Sequence, residues 1–288
     1  MASARTVRLD ALTEREMYVC CDGVTMDLDI HGNTALVSAS SSGLGRAAAT
    51  ELAREGVNVV INGRDEEQLD EAVSHLESVG EGSVVGQQGD ITNESDISAL
   101  VERTLDEFGG IDHLVTSAGG PPSGPFMETT DEDWNEAHLL LVMSVVRLVR
   151  ESADPLRENG GGTIVNITSR SVKEAIDSLV LSNSVRMAVV GLEKTLSREL
   201  APEVRVNAVL PGPHETDRIR SLVEQAVERG EYDSYEEGLA ARGSSIPVGY
   251  IGDPQGLGKT VAFLSSPAAD FITGTTVTID GGLGQATL

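Results

Sequence analysis

A run of small residues, SASSSGLGRA at positions 38–47, has the composition of a loop that can hold a phosphate group. It follows an apolar segment and opens a helix-forming stretch, so its backbone N–H groups lie at a helix N-terminus, where anions bind. Two glycines in the run permit close approach of the backbone to a ligand. The sequence therefore predicts a pyrophosphate-binding turn, whose candidate cofactor-binding residues are Ser38, Ser40, Ser41, Gly43, Leu44 and Gly45.

Strand-like and helix-like segments alternate along the rest of the chain, and these elements must position the turn. The predicted strands are 34–38, 57–61, 83–87, 113–116, 163–168, 205–210 and 275–279. The predicted helices are one from about residue 44, then 66–79, 94–108, 131–156, 182–200 and 254–264. Strands separated by helices form parallel sheets. The pattern therefore predicts a single α/β domain with a doubly wound, Rossmann-type, seven-stranded parallel sheet.

Two segments depart from this alternation. Residues 1–25 show no clear periodicity and are expected to form a loose tail, with residues 26–288 as the domain. Residues 217–247 form a charged, helix-prone insertion after the sixth predicted strand. Because ligands bind at the carboxyl ends of parallel strands, this insertion is predicted to be a helical lid, with a surface loop as the alternative.

Four further short motifs follow the glycine turn in a fixed order. They are Asp90-Ile91 after the third strand, SAGG at 117–120 after the fourth, Ser169 at the end of the fifth, and Pro211-Gly212 with Thr216 after the sixth. With the closing TGTTVTIDGG, they make residues 30–284 resemble the short-chain dehydrogenase/reductase family. The resemblance is nearest to 3-oxoacyl-carrier-protein reductases. It implies a nicotinamide dinucleotide cofactor and a small-molecule carbonyl or alcohol substrate.

The resemblance also assigns roles to these motifs. The cofactor-binding residues that it adds are Asp90, Ile91, Ala118, Gly119, Pro211, Gly212 and Thr216. By this resemblance, Asp90 would hold the adenine amino group, residues 118–119 would pass beneath the cofactor, and residues 211–216 would hold the nicotinamide amide. The chain departs from the family pattern at Ala39, where a glycine is usual, and at residues 116–117, where two asparagines are usual. All three substitutes are small, so the turn is expected to persist.

The choice between the two nicotinamide cofactors can be argued from charge. After the second strand the chain reads Asn62-Gly63-Arg64, whereas NAD-preferring members of the family carry an acid at the Gly63 position. Arg64 could make a charge-assisted contact with the 2′-phosphate of NADP(H), worth about 1.5–3 kcal/mol. The sequence therefore favours NADP(H) over NAD(H).

The catalytic pattern of the family is altered. The family usually carries a serine, a tyrosine 13 positions later and a lysine four beyond that. Ser169 fits the first position, but Ser182 and Arg186 stand at the other two, and Leu141 stands where an asparagine is usual. Ser169, Ser182 and Arg186 are therefore the candidate catalytic residues, and Arg186 is also expected to contact the cofactor ribose.

This alteration leaves the proton source open. A tyrosine hydroxyl can be tuned to exchange protons near neutrality, whereas a serine hydroxyl is far less acidic and an arginine does not give up its proton. The candidates are a water held by Ser182 and Arg186, Lys173, His138, or a lid residue. Lys173 and His138 are expected to be exposed to solvent instead.

Composition limits the partners. The formal net charge of −25 would repel nucleic acids and anionic membrane surfaces, so neither is expected as a partner. Three lysines against 18 arginines, with 46 acidic residues, are typical of a surface adapted to high salt, or of an ordinary acidic protein. The adjacent Cys20 and Cys21 favour incidental thiols over a disulfide or metal site. With no signal-peptide pattern or spanning segment, a cytoplasmic location is expected.

The segment 139–149 is apolar around most of its circumference and is expected to be buried on more than one side. In the family the matching helix forms a subunit interface, so the resemblance implies a homotetramer or dimer, with an internal core helix as the alternative. The leading hypothesis is an NADP(H)-dependent oxidoreductase acting on a carbonyl or secondary alcohol and resembling 3-oxoacyl reductases. The alternatives are a sugar or polyol dehydrogenase and a cofactor-binding protein without turnover.

Overall fold

The computed structural model describes residues 26–287, apart from the side chain of Arg218. The expected tail at residues 1–25 lies outside the described residues. The structure contains a seven-stranded sheet in which every neighbouring pair is parallel. The strands are Thr34–Val37 (β1), Asn58–Gly63 (β2), Val84–Gln88 (β3), His113–Thr116 (β4), Gly162–Ile167 (β5), Val204–Pro211 (β6) and Thr276–Ile279 (β7).

The strand order is β3-β2-β1-β4-β5-β6-β7, which is the doubly wound arrangement that the sequence predicts. Strands β2 and β3 extend the sheet to one side of β1, whereas β4 to β7 extend it to the other, so the strand order reverses between β1 and β4, where Val37 pairs with Val115. In sheets of this kind the connections on either side of the reversal go to opposite faces, and a crevice opens at the carboxyl ends of the two strands. The fold therefore places the loops after β1 and β4 at the edge of a ligand crevice.

The helices cover both faces of the sheet. They are Gly43–Arg54 (α1), Glu66–Val79 (α2), Glu94–Phe108 (α3), Asp131–His138 (α4), Ser144–Glu158 (α5), Val180–Glu199 (α6), Asp217–Glu228 (α7), Tyr235–Gly243 (α8) and Pro254–Ser265 (α9). One core cluster joins the sheet to α1, α2 and α9, and the other joins it to α3, α5 and α6. The β-branched residues of β1, β2, β4, β5 and β6 are buried between these layers, as expected for a parallel sheet.

The segment predicted as one helix over 131–156 contains a different turn in its middle. A π-helical turn, Leu139–Met143, joins α4 to α5. The hydroxyl of Ser144 donates a hydrogen bond to the carbonyl of Leu140, within this turn. Residues 139–149 are buried or half-buried throughout, as expected, and they pack against α3, α6 and the sheet. The helix therefore belongs to the core of the chain, and a subunit interface stays a prediction.

The insertion at 217–247 folds into two short helices, α7 and α8, that contact each other. Thr216, at the base of α7, faces Gly43 at the start of α1, since a Cβ on Gly43 would lie 3.8 Å from Thr216 Cγ2. The insertion therefore begins directly across the crevice from the predicted pyrophosphate turn. No helix within residues 26–287 is both long and apolar enough to cross a bilayer.

Candidate functional site

The N-terminus of α1 is open to a ligand. Its cap residue, Ser42, makes no side-chain hydrogen bond to the helix, and the first turn carries no acidic residue. By contrast, α2, α3 and α9 are capped by the side chains of Asp65, Asn93 and Asp253. Uncapped N–H groups and the positive end of the helix dipole favour an anion. This end of α1 therefore fits the pyrophosphate of a dinucleotide.

Ser38 and Ser40 lie in the predicted turn, and both side chains are fully buried and form hydrogen bonds within the protein. The Ser38 hydroxyl donates to the Ser117 carbonyl at 2.8 Å and accepts from the Ser117 N–H at 2.9 Å. The Ser40 hydroxyl donates to the Val37 carbonyl at 2.6 Å and accepts from the Asn62 N–H at 3.0 Å. Because both hydroxyls are used in this way, they fix the shape of the turn.

The turn is also held by Asn62, a residue that the sequence analysis did not assign to the site. Its buried amide accepts a hydrogen bond from Ala39 N at 3.3 Å and donates to the carbonyls of Gln87 and Gly89 at 3.0 and 3.1 Å. Ala39 has a φ of 44°, which is unusual for a residue with a side chain and explains why glycine is common at this position. A polar residue in the otherwise apolar strand NVVING was the available signal.

Gly63 ends β2, and Arg64 follows it. A Cβ added at Gly63 would lie 2.6 Å from Ser41 Oγ and 2.7 Å from Ser41 Cβ, so a larger residue, including an acid, does not fit there. The Ser41 hydroxyl donates to Gln68 Oε1 at 3.0 Å. The side chain of Arg64 is 80% exposed and lies 3.9 Å from Asp90 Oδ2. The exposed guanidinium of Arg64 thus has one carboxylate beside it, that of Asp90.

Asp90 and Ile91 lie on the loop after β3. Asp90 Oδ1 accepts from the N–H and the hydroxyl of Thr92 at 2.9 and 2.8 Å, while Oδ2 faces Arg64. Ile91 is buried. These contacts fix the loop, and each carboxylate oxygen of Asp90 has a neighbour, Thr92 for Oδ1 and Arg64 for Oδ2.

The loop after β4 carries Ala118 and Gly119. Gly119 has a φ of 65°, and nothing lies within 4 Å of a Cβ built on it, so a ligand can pass over its backbone. The Gly119 carbonyl accepts a hydrogen bond from Arg186 Nη2. Arg186 is 92% buried, because its side chain reaches from α6 under this loop to the edge of the crevice.

Arg186 is a buried cation with few partners. Its Nε has no hydrogen-bond partner, and no carboxylate of residues 26–287 lies within 4.0 Å of its guanidinium. Burial lowers the pKa of Arg186 to about 10, so the group still carries its charge at neutral pH. This positive charge is available to a ligand or to an oxygen that becomes negative.

Ser169 and Ser182 are connected through Ser171, a residue that the sequence analysis missed. The Ser169 hydroxyl accepts from the Ser171 N–H at 3.1 Å. The hydroxyls of Ser171 and Ser182 lie 3.1 Å apart, and either one can be the donor. Ser182 and Arg186 are one turn apart on α6, so they share a helix face. We call Ser169, Ser171 and Ser182 the serine cluster.

The loop after β6 closes the other side of the crevice. Pro211 ends the strand, and Gly212 packs so tightly on Asp280 that a Cβ there would lie 2.6 Å from Asp280 Cβ. His214 is buried, with Nδ1 3.0 Å from the Gly212 carbonyl, and burial lowers its pKa. His214 is thus neutral at physiological pH and has a structural role between Gly212 and Thr216.

The remaining candidates do not join this site. Lys173 and His138 are exposed, as expected. Leu141 is buried in the π-helical turn and offers no polar group. The described part of the site therefore combines an anion-binding helix end, an open glycine loop, a buried cation and a group of hydroxyls.

Comparison with known proteins shows that the chain belongs to the short-chain dehydrogenase/reductase family. A family model described as enoyl-(acyl carrier protein) reductase matches residues 38–284. The chain is 32% identical to human dehydrogenase/reductase SDR family member 4 over 98% of both chains. It is 30% identical to a 3-oxoacyl-[acyl-carrier-protein] reductase of Vibrio cholerae, covering 89% of this chain and 99% of the relative.

A solved structure is similar over almost the whole described chain. It is the L-sorbose reductase of Gluconobacter frateurii, complexed with NADPH and L-sorbose, with a TM-score of 0.86 and 29% identity. The match covers 91% of this chain and all of that one.

Proposed function

Because the chain belongs to the short-chain dehydrogenase/reductase family, we propose that it is an NADP(H)-dependent oxidoreductase that interconverts a carbonyl group and a secondary alcohol. The observation that carries this proposal is the position of the serine cluster and Arg186 beside the Gly119 loop, at the carboxyl ends of the central strands. A nicotinamide cofactor, when bound, supplies or accepts a hydride. The residues of the chain then have to orient the two reactants and manage charge and a proton at the substrate oxygen.

We assign the following roles at the substrate oxygen. The Ser169 hydroxyl donates a hydrogen bond to this oxygen, and the charge of Arg186 stabilises the negative charge that develops there. Ser182 and Arg186 stand at the positions where the family usually has tyrosine and lysine, and the tyrosines within residues 26–287, Tyr232, Tyr235 and Tyr250, lie in or just after the insertion. We therefore propose that a water held by Ser182 and Arg186 exchanges the proton. Turnover is expected to be slow, since a missing general acid costs about 10²–10⁴ in rate.

The relatives support two candidate substrate classes. The similarity to a 3-oxoacyl reductase favours a 3-oxoacyl compound. The similarity to L-sorbose reductase supports a sugar or polyol as the second candidate. A screen of both classes with NADPH, followed by absorbance of the reduced nicotinamide in high salt, distinguishes them.

The catalytic assignment is tested by substitution. We expect Ser169→Ala to lower kcat by about tenfold to a hundredfold, because a hydrogen bond to a charged oxygen is worth ~1.5–3 kcal/mol, with little change in NADPH affinity. Arg186→Ala should lower both kcat and NADPH affinity, since its side chain supports the loop under the cofactor. Ser197→Ala is the matched control, because it removes another buried hydroxyl on α6 whose only hydrogen bond among the described residues goes to the Lys194 carbonyl. Full activity in both site variants would refute the assignment.

The cofactor assignment has a separate test. We propose that Arg64 binds the 2′-phosphate, so NADPH should bind more tightly than NADH, and Arg64→Ala should remove most of the difference, about tenfold to a hundredfold. Gly63→Asp should weaken both cofactors, because the new side chain would collide with Ser41. Titration by nicotinamide fluorescence measures the affinity of the parent and of each variant for both cofactors. Equal affinity for the two cofactors in the parent protein would contradict the assignment.

We also propose a cytoplasmic homodimer or homotetramer. The support is the similarity to the family and the half-buried apolar side chains of Leu139 and Met143, which lie on the π-helical turn. Light scattering of the purified protein measures its mass in solution. A monomer at micromolar concentration would contradict this proposal.

A further inference from the structure

We propose that Ser171 is a positioning residue that joins Ser169 and Ser182 into one hydrogen-bonded unit beside the substrate oxygen. The inference rests on the proposed function and extends it to a residue outside the predicted site. Ser171 lies in a single turn of 3-10 helix, Arg170–Val172, which begins directly after Ser169. It is 3% exposed, so its contacts are made inside the protein.

The contact between Ser171 and Ser169 determines that the Ser169 hydroxyl acts as a hydrogen-bond acceptor toward the protein. A backbone N–H can only donate, so the Ser169 oxygen must be the acceptor of the 3.1 Å bond from Ser171 N. Within residues 26–287 the Ser169 hydroxyl is not seen donating to any other group. Its hydrogen is therefore available to a carbonyl oxygen in the crevice. Accepting one hydrogen bond also makes a hydroxyl a better donor, so the N–H of Ser171 strengthens this role.

The second contact controls Ser182. The two hydroxyls, 3.1 Å apart and both buried, share one hydrogen bond, and one hydroxyl hydrogen of the pair stays free. A serine hydroxyl also lies a whole aromatic ring closer to its backbone than a tyrosine hydroxyl. Ser182 therefore stays at the wall of the crevice, where it contacts Ser171, and reaches the substrate oxygen through a water.

The positive charge of Arg186 lies close to the serine cluster in sequence and on the same helix as Ser182. Arg186 follows Ser182 by one helical turn and has no carboxylate partner among the described residues. An adjacent positive charge favours the form of a water or hydroxyl that has given up its proton. The unit formed by the serine cluster can thus orient a water toward the substrate oxygen, with Ser171 as its central member.

The experiment is a double-mutant cycle in the full-length protein with the best substrate of the screen. Ser171→Ala should lower kcat by about tenfold to a hundredfold while KM and NADPH affinity change by less than about threefold. Ser171→Thr, which keeps the hydroxyl, should recover most of this loss. The combined Ser171→Ala, Ser182→Ala variant should be no slower than the slower single variant, because residues that act as a unit are not additive.

The pH dependence of kcat is the second readout. Ser171→Ala should shift the pH at which kcat is half-maximal, whereas the control Ser197→Ala should change neither the profile nor kcat. If Ser171→Ala is insoluble, Ser171→Cys replaces it, because a thiol fills the same space and hydrogen-bonds weakly.

The outcomes separate the two proposals. An active parent whose Ser171 variants keep full kcat, or whose two single losses simply multiply, overturns the role of Ser171 and leaves the proposed function standing. A parent that binds NADPH but turns over no carbonyl or alcohol overturns both. Coupled losses, recovery by Ser171→Thr and a shifted pH profile support the role.

Discussion

A buried carboxyl group makes stability depend on pH. Glu193 lies on α6, is 1% exposed, and its Oε1 has no hydrogen-bond partner among the described residues. Burial raises the pKa of Glu193 to about 7, against a smaller opposite effect of Lys194. The folded state therefore holds the proton more tightly than the unfolded state, whose pKa is near 4.5. The contribution of Glu193 to the free energy of unfolding is greatest below pH 4.5, falls as the pH rises toward 7, and is smallest above pH 7.

Glu193→Gln should remove this dependence. At pH 8 the variant should be more stable than the parent by about 1–3 kcal/mol, because the buried charge is gone, while at pH 5 the two should be nearly equal. Glu199→Gln, on the exposed side of the same helix, is the control and should change stability little at either pH. Urea unfolding at the two pH values measures the difference. A gain of the same size at both would show that ionisation is not the cause.

Individual residues differed in how visible they were from the sequence. Ser169, Ser182 and Arg186 could be located by matching the chain to the catalytic pattern of the family, and the structure brings them to one edge of the crevice. Ser171 and Asn62 could not, because their importance lies in contacts with partners 11 to 27 positions away in sequence. For the same reason, the sequence could not show that the hydroxyls of Ser38 and Ser40 form hydrogen bonds to neighbouring backbone groups.

At the scale of elements, the insertion after β6 is tied down by a few polar contacts. The Tyr235 hydroxyl on α8 donates to Glu215 Oε1 at 2.8 Å, and Arg220 on α7 lies 3.6 Å from the same oxygen. Arg46 on α1 lies 3.8 Å from Asp217. Burial, and then the bond to Glu215, raises the pKa of Tyr235, so the hydroxyl remains a donor at neutral pH. These contacts hold the two short helices against each other and next to the crevice.

Tyr235→Phe should loosen the insertion without unfolding the domain. A lost hydrogen bond costs about 0.5–1.5 kcal/mol, which is enough to open a segment with few buried contacts. We expect faster hydrogen exchange over 217–243, a KM raised several-fold, and a nearly unchanged melting temperature.

The matched control is Tyr232→Phe, since the Tyr232 hydroxyl makes no hydrogen bond within residues 26–287 and its ring packs near Gly238. Equal exchange rates in the parent and both variants would exclude a role for the Glu215 contact. A fall in kcat at unchanged KM would instead place Tyr235 in the chemical step.

The elements themselves were predicted well where hydrophobic periodicity was strong. Helices at 66–79 and 94–108 and the strand at 113–116 have the predicted bounds. The π-helical turn at Leu139–Met143 was not predictable, because π and α turns differ by one residue per hydrogen bond and the sequence LLLVM fits either. Such turns are frequent at functional sites, and this one contains Leu141, where the family pattern has a polar residue.

At the scale of the whole molecule, the doubly wound topology could be predicted because the alternation of strands and helices allows few other arrangements. The predicted seven strands and their parallel pairing are confirmed. What the topology does not determine is the chemistry of the crevice edge, since many sites are built on this fold. The serine cluster is a case of this kind, because the same strand ends could carry other side chains.

Net charge is also a property of the whole molecule, and α2 carries several of the exposed carboxylates that contribute to it. Glu67, Asp70 and Glu71 are exposed on this helix, and within residues 26–287 none of them pairs with a cation. With a formal charge of −25 on 288 residues, such carboxylates repel one another until counterions screen them. The folded state concentrates this charge, so low salt should destabilise it relative to the expanded unfolded chain.

We therefore expect the melting temperature to rise from low to molar KCl, by several degrees if screening is worth about 1–2 kcal/mol. A triple variant, Glu67→Gln, Asp70→Asn and Glu71→Gln, should be more stable than the parent in low salt and should gain less from added KCl, because part of the repulsion is already removed. Sucrose is the control for general solvent exclusion, and it should raise the melting temperatures of parent and variant equally. A parent melting temperature that stays flat or falls with KCl, or a variant with the full salt response, would show that repulsion among these carboxylates does not limit stability.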